Sequence, residues 1–378
     1  MNDSEAMVKA IEVASTVRGT TSPNPWVGCV IQTAGGEVFT GATAPPGGLH
    51  AEAAALIQAG ASAPGSTVWV TLEPCSHTGR TPPCADALIE AGVSRVVVGI
   101  EDPDPRVAGR GLARLRDAGI DVEVGVEASA IRMQLAPYLK HRRTGRPWVV
   151  LKLGASIDGH TAAPDGSSRW ITGATARADA HLLRAHSGAV VVGANTVRQD
   201  DPSLTVRHVE GIDPLRVVLG RAAPDAKVQP AIEFQGDLDD LLVQLGERGV
   251  LQVLVEGGAG VAGEFHRRRL VDQYVFYMAP VIFGGTDARP MFDGPAAATI
   301  ADVWRGAFSS ILPLGADLRI DLLADVDPLI AGAVPVGRAV DATDGPTTGS
   351  TPVVTMDLPL PDGLTVEGTI ESPTEEES

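Results

Sequence analysis

Short apolar runs recur along most of this chain, at residues 27–31, 68–72, 96–100, 122–126, 148–153, 189–192, 216–219 and 250–255. Between them lie stretches whose apolar residues fall at helical spacing, at 6–17, 51–59, 85–91, 112–118, 175–185 and 238–245. A brief apolar run bounded by turn formers reads as a buried strand, and spacing of three or four reads as an amphipathic helix. Alternation of the two predicts helices packed on central sheets, an α/β fold. Ser4 is the expected cap of the first helix, and residues 273–283 read as one long strand.

At 378 residues, and about 100–200 residues per domain, the chain has room for two or three domains. The basic stretch Lys140-His141-Arg142-Arg143-Thr144-Gly145-Arg146-Pro147 reads as a hinge, dividing a domain over 1–144 from one over 145–324, and no internal repeat relates the two. Residues 325–378 hold eleven acidic residues, seven prolines, one Arg and no aromatic side chain. That composition reads as a disordered acidic tail, with short apolar runs such as 353–356 suited to an edge strand or a docking segment.

Thirty basic residues against 47 acidic leave a formal charge of −17, which disfavours non-specific attraction to phosphate backbones or anionic membranes. No apolar run approaches the ~20 residues that span a bilayer. The first residues show no basic segment followed by an apolar one, and three cysteines do not make a disulfide framework. The expectation is a soluble cytoplasmic protein with a small-molecule partner, no nucleic acid and no membrane. A homo-oligomer is compatible with all of this. The tail carries −10 of the charge, leaving −7 for the first 324 residues, so nucleic acid is excluded less by charge than by the motif that follows.

His50-Ala51-Glu52 opens a helix, Glu73-Pro74-Cys75 follows a strand, and Pro83-Cys84 comes eight residues later. One imidazole and two thiolates supply three zinc ligands, and a catalytic zinc keeps a fourth position open for water, lowering its pKa towards about 7. Glu52 is placed to move protons between that water and a departing amine. The order resembles the zinc-dependent nucleobase deaminases, except that their Pro-Cys-x-x-Cys is replaced by a longer loop between Cys75 and Cys84. That loop presents His77 and Arg80, which suit a phosphate. Cys29 and Trp26, among apolar neighbours, read as core. Three classes of function fit: a small-molecule deaminase, a deaminase of nucleic-acid bases, and a structural zinc module fused to a dinucleotide-binding sensor. The last requires a fourth protein ligand, for which His77 is the candidate.

The whole segment Thr71-Leu72-Glu73-Pro74-Cys75-Ser76-His77-Thr78-Gly79-Arg80-Thr81-Pro82-Pro83-Cys84 resembles the bifunctional riboflavin-biosynthesis deaminase/reductase family. Asn24-Pro25 ahead of Val27-Gly28, Asp102-Pro103 and residues 107–111 fit the deaminase half of that family. Residues 151–159, 168–172 and 200–207 are similar to its reductase motifs, and the resemblance covers about residues 5 to 323. It implies an N-terminal cytidine-deaminase-like three-layer α/β/α domain and a C-terminal dihydrofolate-reductase-like α/β domain. Two steps follow: zinc-hydroxide hydrolytic deamination of a diaminopyrimidinone ribosylamine 5′-phosphate, then NADPH-dependent reduction of its ribosyl group to ribityl. By the resemblance His50, Cys75 and Cys84 bind Zn2+, Glu52 transfers protons, and Asn24, His77 and Arg80 contact the pyrimidine nucleotide. The family usually has Tyr-His where this chain has Ala42-Thr43, and Asn where it has Asp104.

In the second half, Gly258, Gly260 and Gly263 follow a strand and precede a helix, a spacing that lets backbone N–H groups approach a phosphate. Its late position in the domain does not point to a Rossmann fold. The resemblance adds Gly154, Trp170, Thr196, Asp200 and Arg221 to these glycines around the dinucleotide, and puts Ser168, Arg184, Leu204, Arg207 and Glu256 on the substrate side. Lys152, costly to bury unpaired in an apolar strand, is the candidate proton donor.

Overall fold

In the computed structural model the described residues are 1–76 and 83–324, and their strands form two large sheets and a two-stranded ribbon. Helix α1 (Asp3–Ser15) is set by a capping box. The Asn2 side chain accepts the Glu5 N–H at 2.8 Å, and the Glu5 carboxylate accepts the Asn2 N–H at 3.0 Å. The cap is therefore Asn2, not Ser4, and the helix starts earlier than its apolar spacing indicates, because two reciprocal hydrogen bonds satisfy its first N–H groups. Ser4 lies in the first turn and donates to Glu127 at 2.5 Å.

Next come β1 (Gly28–Gln32), β2 (Val38–Ala42), α2 (Ala51–Ala59), β3 (Thr67–Leu72), α3 (Cys84–Glu90), β4 (Arg95–Ile100), α4 (Arg110–Asp117) and β5 (Asp121–Val124). The strands order as β2-β1-β3-β4-β5; β1 is antiparallel to both neighbours and β3, β4 and β5 run parallel. A half-buried edge strand such as β2 leaves little apolar periodicity, and spacing missed it. Two glycines show how the layers stack. A Cβ on Gly28 would lie 1.9 Å from the Ala10 carbonyl of α1, and one on Gly41 would lie 2.1 Å from the Ala51 carbonyl of α2. Cys29 pairs with Gly41, so Gly41 shares a face with Cys29 while Gly28 points the other way. Helices α1 and α2 thus cover opposite faces, giving the α/β/α layering, and Cys29 is fully buried in the core.

Helices α5 (Ala128–Gln134) and α6 (Ala136–Thr144) lead to the second sheet. The basic stretch expected to be a hinge is instead the end of α6, stopped at Gly145 with φ of 70°. Basic side chains in a last turn face the negative end of the helix dipole, which explains the local charge without a linker. Tyr138 and Leu139 are buried, Lys140 lies 2.5 Å from Asp272, and His141 Nε2 lies 2.9 Å from the Gly246 carbonyl.

The rest of the chain runs β6 (Trp148–Ser156), β7 (His160–Ala162), α7 (Ala174–Ala185), β8 (Ala189–Gly193), α8 (Ala194–Asp200), β9 (Leu215–Leu219), β10 (Ile232–Phe234) and α9 (Leu238–Glu247). It continues with β11 (Gln252–Val255), α10 (Ala259–Arg267), β12 (Gln273–Ala279), β13 (Arg289–Pro290), β14 (Gly306–Leu314) and β15 (Asp317–Ala324). The sheet order is β10-β9-β8-β11-β6-β12-β15-β14, parallel from β10 to β12 and antiparallel beyond. Along β6, Trp148 and Val150 join one apolar cluster while Val149, Leu151 and Leu153 join another. A strand buried on both faces reads as an unbroken apolar run. The long strand expected over 273–283 stops at Ala279: Pro280 cannot donate to a ladder, and Val281, Ile282 and Phe283 are exposed. The expected tail over 325–378 lies outside the described residues. Among the described residues no helix is long and apolar enough to cross a membrane.

Candidate functional site

Three elements of the first sheet converge on one point. His50 is the N-cap residue of α2, Cys75 lies on the loop after β3, and Cys84 opens α3. His50 Nδ1 lies 3.2 Å from Cys84 Sγ and 3.6 Å from Cys75 Sγ, and the Cys84 N–H donates to Cys75 Sγ at 3.3 Å. The ligand atoms all lie within 4.8 Å of one another. A tetrahedral zinc places N and S ligands about 3.5–3.8 Å apart, so both the donor set and its spacing fit that ion. His77 and Arg80 lie outside the described residues.

Glu52, in the first turn of α2, is buried beside these ligands; burial and then the Cys75 charge push its carboxyl up to about 7. It opens onto a cavity of about 150 Å³ whose walls include Asn24, Thr43, His50, Cys75 and Asp104. Asn24 therefore reaches the metal cluster's cavity, and so do two of the positions that depart from the family pattern. Thr43 Oγ1 accepts the Val27 N–H at 3.0 Å. Asp104 is held down to about 2 by its hydrogen bonds to Arg106, whose Nη2 lies 2.6 Å away.

Glu73 belongs to the motif, two residues before a ligand, but sequence alone assigns it no role. Its buried carboxylate accepts the N–H groups of Asp102, Gly109, Gly111 and Leu112 at 3.2, 2.9, 2.9 and 3.3 Å, tying the metal loop to the start of α4. Asp102 in turn accepts the Tyr138 hydroxyl at 3.1 Å on each oxygen, and burial pushes its carboxyl up to about 6. A buried acid in the motif was the available signal, but its backbone partners lie up to 39 positions away.

The second sheet carries a larger cleft of about 900 Å³ at the C-terminal ends of β8 and β11, bordered by Ser168, Thr196, Asp200, Glu256, Gly258 and Gly260. A smaller recess holding Lys152 and Gly154 shares Thr161, Glu256 and Gly258 with it. Arg184 lies against Glu256, with Nη2 at 2.8 Å and Nε at 2.5 Å from its two oxygens. Lys152 has its Nζ 5.6 Å from the Tyr277 ring centre; burial lowers its pKa and the Glu256 charge opposes the drop.

Residues 1–100 match the cytidine and deoxycytidylate deaminase zinc-binding region, and residues 147–305 match the RibD C-terminal domain. Riboflavin biosynthesis protein RibD of Escherichia coli K12 is 41% identical over 366 residues, covering 85% of this chain and all of that one. The chain belongs to the RibD family. The RibD of Mycobacterium tuberculosis H37Rv is also 41% identical, over 85% of this chain and 97% of its own. The solved RibD of Acinetobacter baumannii superposes with a TM-score of 0.79 at 38% identity, over 86% of this chain and 99% of that one. A Thermotoga maritima structure, described as a diaminohydroxyphosphoribosylaminopyrimidine deaminase/5-amino-6-(5-phosphoribosylamino)uracil reductase, gives 0.77 at 32% identity over 85% and 98%.

The RibD reductase domain implies a nicotinamide cofactor, and the cleft suits one. Gly258 caps α10 with extended backbone, and a Cβ on Gly260 would meet nothing within 4 Å, so the first turn of α10 faces open space. Other residues assigned by resemblance are not among those lining this cleft. A Cβ on Gly263 would lie 2.1 Å from the Asp293 carbonyl, so this glycine allows the close approach of Asp293. Leu204 is buried in the apolar core, Arg207 is exposed with Nη1 3.0 Å from Thr205 Oγ1, and Arg221 is exposed beyond β9. Trp170 is 68% exposed, under the Arg177 guanidinium at 4.3 Å. The RibD cleft also gathers Asn195, Arg198 and Arg289, none of which stands in a motif that sequence spacing could single out.

Proposed function

We propose that this RibD-family chain carries out two successive steps on one pyrimidine nucleotide. The first is hydrolytic removal of the ring amine of a diaminopyrimidinone ribosylamine 5′-phosphate; the second is NADPH-dependent reduction of its ribosyl group to ribityl. Residues 1–144 would form the deaminase, 145–324 the reductase. Three unpaired cysteines suit the reducing cytoplasm.

His50, Cys75 and Cys84 would hold zinc, which supplies an activated water at neutral pH. Glu52 takes a proton from the attacking water and returns it to the amine as the carbon–nitrogen bond breaks and ammonia leaves. Buried in the cavity that His50 and Cys75 line, this carboxylate is placed to serve as base and then as acid. Asn24 faces the pyrimidine across the same cavity.

In the reductase, the turn at Gly258 and Gly260, with Gly154, Thr196 and Asp200, borders the space for NADPH, which supplies the hydride. The paired Arg184 and Glu256 and the hydroxyl of Ser168 line the substrate side. Lys152 gives the proton that balances hydride delivery to C1′, to the oxygen or the nitrogen of the opened sugar. If Lys152→Met keeps full NADPH oxidation with the aminouracil substrate, that role is wrong.

The observation that carries the reading is Glu52 buried in the cavity lined by His50 and Cys75, two of the three clustered ligands. Its test is incubation of the zinc-loaded protein with the diaminopyrimidinone nucleotide, with and without NADPH, and identification of products by mass. The aminouracil is expected without NADPH and its ribityl form with it; unchanged substrate in both would reject the reading.

A further inference from the structure

A third cavity, of about 490 Å³, lies where the first block meets the second sheet. It shares no lining residue with the metal cavity or the reductase cleft. Arg18, just past α1, enters from one side; His186, Gln252 and Arg319 enter from the other, beside an apolar wall that includes Trp148 and Leu183.

The two arginines of this cavity are partnered differently, and the carboxylate of Asp321, which also lines it, is taken up by Arg319. Arg319 is answered by Asp179 at 2.9 Å and Asp321 at 3.1 Å. Arg18 has no ion pair among the described residues: its Nη2 donates to the neutral Gln252 Oε1 at 2.9 Å, and its guanidinium lies 5.2 Å from the Trp26 ring centre. Its Nε is buried without a hydrogen-bond partner. Burial, and then the like charge of Arg319, bring the Arg18 pKa down to about 10. Burial and the same two arginines hold His186 neutral, with a pKa of about 3. A partly desolvated cation with no ion pair among the described residues is costly, and an anion in the adjoining space offsets that cost.

We propose that this cavity binds the phosphate group of a small molecule, with Arg18 as its principal donor and Arg319 and His186 beside it. A guanidinium fork matches phosphate oxygens. The volume falls within the ~300–1,000 Å³ of small-ligand sites, enough for a mononucleotide whose uncharged body lies along Trp148 and Leu183. Because both blocks line the cavity, occupancy ties them together. This site is independent of the two catalytic assignments.

The test is calorimetric titration of the zinc-loaded full chain with inorganic phosphate, with uridine 5′-monophosphate and with uridine. The catalytic sites also take phosphates, so the readout is the difference between the parent and Arg18→Gln, a residue outside both. The parent is expected to bind one more equivalent of phosphate or nucleotide than Arg18→Gln, or the variant to bind that equivalent at least about ten-fold more weakly, a loss of about 1.4 kcal/mol. Tighter binding of the nucleotide than of inorganic phosphate identifies an organic phosphate; equal binding identifies free phosphate. Leu183→Trp, which fills the cavity while keeping Arg18, should lose the same equivalent and covers the case in which Arg18→Gln does not fold. Identical stoichiometry and affinity in the parent and the folded variants, or uridine binding there as well as its phosphate, overturns the proposal.

Discussion

The Glu73 carboxylate accepts the Gly111 N–H at 2.9 Å, while the Pro74 carbonyl would lie only 2.0 Å from any Cβ placed on that glycine. The backbone just before the ligand Cys75 is thus held against the start of α4 at a distance that excludes a side chain. Gly111→Ala is expected to cost about 1–3 kcal/mol, as overpacking does, and to lower the zinc content of the purified protein. Denaturant unfolding and metal analysis check both. Unchanged zinc content would separate α4 from the metal loop.

Glu52→Gln removes the proton carrier while keeping the shape of the site. Deamination should fall about 10²–10⁴-fold, with zinc content and NADPH oxidation on the aminouracil preserved. Absorbance assays of the two half-reactions, run on the same preparation, measure it.

Asp102 links the wall of the metal cavity to Tyr138 of α6, and burial raises its carboxyl from 3.8 to about 6. A raised carboxyl favours the protonated form in the fold. Its contribution to stability is therefore full below 3.8 and is lost as pH rises through about 6. Asp102→Asn cannot ionise, so its stability relative to the parent should improve by about 2 kcal/mol between roughly pH 4 and pH 8. A pH-independent difference between the two proteins would contradict the assignment.

Arg184 and Glu256 pair at the reductase cleft with side chains only 13% and 9% exposed. Removing one partner strands the other, so Glu256→Gln should destabilise the chain by about 3–5 kcal/mol. The double replacement Arg184→Met with Glu256→Leu should cost less than Glu256→Gln alone, while losing NADPH oxidation. Chemical denaturation of the three proteins decides this.

Much of the fold was legible because burial leaves a periodic trace. Helix α2 and the strands β1, β3, β4, β6 and β8 sit within a residue or a few of where apolar spacing put them. Elements with a mixed face left no such trace: the edge strand β2 and the β14–β15 hairpin were missed, and the basic end of α6 was read as a hinge. The metal cluster was legible for a different reason. Its ligands are a chemically unusual set standing in a fixed order, so order and residue type alone identify them.

By itself the sequence determined the alternating architecture, the His50, Cys75 and Cys84 set with Glu52, and the family resemblance, since these rest on local periodicity and motif chemistry. Tertiary structure alone decided which groups share a cavity. It brought Glu73 to the N–H groups of α4, paired Arg184 with Glu256 across 72 positions, buried Leu204 away from solvent, and left Arg18 without an ion pair among the described residues. Hydrogen bonds and desolvation act over a few ångströms in space, and distance along the chain carries no record of them.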